Sequence, residues 1–139
     1  MIHVNVSSPA GTYSVGSTPF FRYVVRLSDI GLSMRPADQE ALDILAAIPN
    51  AYIDEDELSG NGWRVVPAAT GADWPVLEAT PQRLRGALQT ARRLLWENAA
   101  PVGITAMEIV GIEEEMEHVL AVLDSAEAGG FSVNVTYVT

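Results

Sequence analysis

FFRYVVRLS, residues 20–28, sets three aromatic and two β-branched residues among two arginines. Such side chains favour a pleated, half-buried surface, so the stretch predicts a strand. Alternation puts Phe21, Tyr23, Val25 and Leu27 on one face. Phe20, Arg22, Val24 and Arg26 then share the other.

Working outward, IHVNV (2–6) alternates and reads as a short strand, and SSPAGTYSVGSTP (7–19) reads as a turn-rich loop. Downstream, Pro36 suits the first turn of a helix. Ala37, Ala41, Ile44, Leu45 and Ile48 recur at helical spacing until Pro49-Asn50 stops them. AYIDEDEL, the SGNG turn and WRVVPA together predict a β-hairpin. ATGADWPVLEA is a longer connection to Thr80-Pro81, an N-cap and first helical residue. The second helix runs to about Asn98 with Leu84, Leu88, Ala91 and Leu95 on one stripe. Pro101 ends that region, and ITAMEIV (104–110) reads as a strand.

Residues 20–110 therefore read β-α-β-β-α-β. This is the order of the ferredoxin-like split βαβ core, an antiparallel or mixed sheet with helices mainly on one face. An N-terminal strand and a C-terminal helix–strand are additions. The added helix carries Ile112, Met116, Val119, Leu120 and Leu123 and ends at Gly129-Gly130. In the closing strand, FSVNVTYV (131–138), Val-Asn-Val echoes Val4-Asn5-Val6, and both strands are expected at a sheet edge. With neither repeat nor linker, residues 1–139 read as a single α+β domain.

Composition sets further bounds. The chain has 139 residues, 48% hydrophobic and 19% charged, which favours a packed globule over a disordered chain. No run reaches the roughly 18 apolar residues of a membrane span. MIHVNVSSPAG has neither the basic nor the apolar region of a signal peptide, so a cytoplasmic protein is expected. With no cysteine in the chain, disulfides, zinc–thiolate sites and thiol nucleophiles are excluded. All eight basic residues are arginine, so lysine Schiff-base chemistry is excluded as well. The net charge of −10 opposes contact with nucleic acid and with anionic membranes.

Candidate chemical motifs fail on their own terms. In IDEDELSGNGW (53–63), a calcium loop started at Asp54 meets Leu58, Ser59 and Val65 where ligands and a glycine belong. GTYSVGST (11–18) resembles a phosphate-binding loop, but Ser17 replaces the lysine and Pro19 follows. Glu114 and His118 share a helix face at i and i+4, yet acids in a helix's first turn already answer its dipole. His3 and His118 are the only histidines, and neither sits beside a nucleophile motif. Arg83, Arg85, Arg92 and Arg93 crowd the second helix and are expected to pair with the chain's own acids. No metal, cofactor or catalytic residue is assigned.

Charge patterning is more informative. Residues 36–62 hold seven acids and no base, and residues 104–139 hold seven more and no base. The leading expectation is a non-enzymatic acidic protein that binds and inhibits a basic protein, as immunity proteins and antitoxins do. Asp54, Glu55, Asp56 and Glu57 are its first contact residues, with Glu113, Glu114, Glu115 and Glu117 second. The alternative is a ferredoxin-like small-molecule-binding domain or enzyme, dimeric through its sheet, with the ligand near Arg22, Tyr23, Arg26 and Trp74. A further alternative is a structural subunit of a phage or larger assembly. Strand 131–138 would then be an edge open to a second copy.

Overall fold

The computed structural model describes residues 3–15, 19–30, 33–47, 63–66 and 76–138. The chain opens with an antiparallel hairpin, β1 (His3–Ser8) and β2 (Gly11–Val15). Two helices follow, α1 (Pro19–Ile30) and α2 (Pro36–Ala47). β3 (Trp63–Val66) pairs antiparallel with β4 (Val76–Ala79). Then come α3 (Pro81–Glu97), the short α4 (Ala99–Val102) and the long α5 (Ala106–Gly129). β5 (Val133–Val138) closes the chain. The sheet order is β2-β1-β5-β4-β3, with every neighbouring pair antiparallel.

Period-two alternation gives this sheet two unlike faces. Val4, Val6, Val15, Leu77, Ala79, Val133, Val135 and Trp63 are buried on one. There they join α1, α3 and α5 in a continuous core. On the other face, Thr12, Ser7, Asn134, Glu78 and Arg64 form one cross-strand row through all five strands. The fold is thus α+β with an antiparallel sheet and its helices on one side.

FFRYVVRLS is a helix, not a strand. Phe20, Phe21, Tyr23, Val24 and Leu27 are buried at helical spacing, while Arg22, Arg26 and Asp29 lie exposed at i, i+4 and i+7. Its aromatic and β-branched residues fit a buried helix as well as a strand, and Pro19 supplies a first-turn residue. ITAMEIV likewise enters α5. The Thr105 side chain accepts from Glu108 N–H, and the Glu108 side chain accepts from Thr105 N–H, a reciprocal capping box.

The described elements from residue 19 to residue 129 therefore run α-α-β-β-α-α-α, and the split βαβ order is not present. Two further segments read as connections are strands: Gly11–Val15 pairs with β1, and Val76–Ala79 pairs with both β3 and β5. The partner of WRVV is VLEA; AYIDEDEL lies outside the described residues. The echoing Val-Asn-Val segments do share the sheet, with Val6 opposite Val135. β5, however, is the central strand. β1 and β4 occupy its two sides, so strand 131–138 is not an open edge.

Candidate functional site

α3 is the basic spine of the molecule. Thr80 caps it by accepting from Arg83 N–H at 3.2 Å, and its apolar stripe from Leu84 to Leu95 is buried. That leaves its arginines on the flanks, where α3 packs against α2 on one side and α5 on another. Arg85 reaches Asp124 at 2.6 Å and Glu127 at 2.7 Å, both on α5. Arg92 meets Glu113 at 3.3 Å, and the Trp96 indole N–H donates to the same carboxylate at 2.8 Å. Arg93 reaches Asp38 of α2 at 3.0 Å, and Arg35 meets the other oxygen of Asp38 at 3.5 Å. The Arg85 hydrogen bond holds the Glu127 carboxyl below the usual glutamate value.

This network joins the described parts of the two acid-only segments through one helix, α3, and several of their carboxylates are spent on it. Arg85, Arg92 and Arg93 of α3 do pair with the chain's own acids, as expected.

The acidic run of α5 does not act as one surface, because successive helix positions turn by about 100°. Glu113 faces α3. Glu115 turns towards the sheet and helps line a small cavity with Val6, Val15 and Met116. Glu114 and Glu117 are exposed and form no ion pair among the described residues. Asp54, Glu55, Asp56 and Glu57 lie outside the described residues.

Arg22, Tyr23 and Arg26 come together on α1; Arg22 is exposed, and Tyr23 and Arg26 brace the fold. The Tyr23 hydroxyl donates to Glu108 at 2.5 Å, which ties α1 to the α5 cap. Arg26 lies over the Tyr23 ring at 5.3 Å and donates to the Val102 carbonyl at 2.9 Å. The Tyr23 hydrogen bond, then the Thr105 bonds, hold the Glu108 carboxyl below its usual value, and the same bond raises the Tyr23 phenol. Trp74 lies outside the described residues.

Sequence reasoning missed two features. His118 is exposed on α5 and stacks on Tyr13 of β2, with ring centroids 4.9 Å apart and planes inclined by 16°. Pairing it with Glu114 at i+4 gave no hint of an aromatic partner on β2. Among the described residues, no three histidine or acidic side chains are grouped to hold a metal ion. The second feature is a groove of about 240 Å³ between α2, β3 and α3, lined by Glu40, Ala41, Ile44, Trp63, Arg83 and Ala87. The Trp63 indole N–H is buried and meets no acceptor among the described residues. Among the described residues no helix is long and apolar enough to cross a membrane. Compared with known proteins, the chain matches no protein family, no curated protein and no solved structure.

Proposed function

We propose that this chain is a non-enzymatic acidic interaction protein that docks on a basic protein and inhibits it, in the manner of an immunity protein or antitoxin. The observation that carries the reading is the use of its cations. Arg35, Arg64, Arg85, Arg92 and Arg93 are all held in ion pairs within the fold. None of these five cations is left to offset the net charge of −10. Glu114 and Glu117, exposed on α5, join Asp54–Glu57 as the docking acids; Glu113 leaves the set because Arg92 and Trp96 engage it, and Glu115 because it lines the cavity under the sheet. Carboxylates so displayed speed encounter with a cationic surface and repel nucleic acid.

The test is capture of a basic partner from host lysate at low and high salt, followed by binding kinetics with the purified pair. One variant neutralises Asp54, Glu55, Asp56 and Glu57; a second neutralises Glu114 and Glu117. The association rate is expected to fall at least about tenfold, with a flatter salt dependence. Unchanged kinetics in both variants would sink the proposal.

The groove beside Trp63 favours a second reading, a small-molecule-binding domain. Its walls combine apolar side chains with one charge of each sign, the mixture that orients a small polar ligand. A metabolite that raises the melting temperature of the native chain but not of Ala41→Trp, which fills the groove, would support this reading.

A further inference from the structure

Glu115 sits on the face of α5 that meets the sheet. It shares the wall of a cavity of about 20 Å³ with Val6, Val15, Phe20, Leu88 and Met116. Its Oε2 atom is buried and accepts no hydrogen bond among the described residues. Glu115 is half-buried, so a carboxylate there gives up part of its water and gains no donor at the buried oxygen. A cavity of that size has room for about one water, which needs two to four polar partners. The wall offers one carboxyl among apolar side chains.

The charged and titratable groups around Glu115 are few. On α5, Glu114 repels a negative charge at Glu115, and His118, when protonated, attracts it. From β2, the Tyr13 ring stacks on His118. From α3, Arg92 is engaged by Glu113, and Arg85 by Asp124 and Glu127. α1, β1 and β5 bring Phe20, Phe21, Val6 and Val135 to the cavity.

We propose that Glu115 makes the seating of the β1–β2 hairpin on α5 depend on pH: the neutral carboxyl lets β2 close over the cavity, and the carboxylate loosens it. β2 is suited to respond. Among the described residues it is an edge strand, with β1 as its sheet neighbour. It rests on α5 through Val15 at the cavity and Tyr13 at His118. Burial first, then Glu114, lifts the Glu115 carboxyl above its usual value, and His118 opposes the lift. The sign follows. As pH rises, the unfolded chain gives up this proton before the folded one does. Stability is therefore full below the usual glutamate value and falls as pH climbs to the raised one.

The experiment compares the full chain with Glu115→Gln and Glu115→Met by thermal unfolding at acidic and neutral pH. Hydrogen exchange of the Gly11–Val15 amides is followed alongside. At neutral pH both variants are expected to melt on the order of 3 °C above the native chain, with β2 amides exchanging several-fold more slowly. Below the usual glutamate value, Glu115→Gln and the native chain are expected to coincide. The proposal is overturned if the native chain matches or exceeds both variants at neutral pH, or if the gap does not change with pH. Unfolding of both variants at neutral pH counts as the first of these outcomes.

Discussion

Val24 and Val25 carry the same side chain at consecutive positions of α1, yet Val24 is wholly buried and Val25 is only partly so. A helix turns them by about 100°, which sends one into the core and the other along its border. Val24→Ala is expected to cost about 2 kcal/mol in urea unfolding, the value of a buried valine, and Val25→Ala well under half of that. A strand at 20–28 would reverse the order, since Val25 then shares the core face with Tyr23 and Leu27. Arg26 teaches the same lesson. Its sequence position placed it near a small-molecule ligand, and its guanidinium spans Tyr23 and the Val102 carbonyl. No pattern local to residues 20–28 reveals a partner 76 positions away.

Among the elements, those with local signals were legible. Pro36, the Thr80-Pro81 cap and Gly130 at φ 71° mark ends that depend on a few adjacent residues. Strand pairing was less legible: β3 reads as a strand but with another partner, and the four residues of β4 read as a connection, because the identity of β4 comes from hydrogen bonds to β3 and to the distant β5. The central place of β5 is also a property of pairing, because β1, its neighbour, lies at the other end of the chain. The start of α5 was misread although its signal is local: Thr105-x-x-Glu108 is a capping box, and the apolar residues of ITAMEIV masked it. Thr105→Ala removes that box and is expected to cost about 1 kcal/mol by urea unfolding. Thr80→Ala, which loses a single cap bond on α3, is the reference and should cost no more. A smaller loss for Thr105→Ala would mean that Tyr23, which also holds Glu108, keeps α5 capped unaided.

At the scale of the whole molecule, ten excess negative charges press outward, and α3 answers by bridging α2 and α5. The individual carboxyls then set two opposed slopes with pH. Glu108 and Glu127 are held below their usual value by Tyr23 and Arg85. The stability they contribute is present above the usual glutamate value and is lost as pH falls through the lowered ones. Glu115 is displaced the other way by its burial and by Glu114, so it contributes most at low pH and least at neutrality. Self-repulsion eases on acidification too, which adds to the Glu115 slope. The melting temperature is therefore expected to rise from neutral pH to a mildly acidic maximum, then fall. Salt separates the two causes of the rise. Exposed charges more than about 10 Å apart are screened at roughly 0.1 M salt, whereas a half-buried carboxyl such as Glu115 is screened less. In high salt the native chain should keep a rise that Glu115→Gln lacks. If the native chain only loses stability on acidification from neutrality, at both salt levels, then its paired carboxylates outweigh Glu115 throughout, and its pH response is that of an ordinary salt-bridged protein.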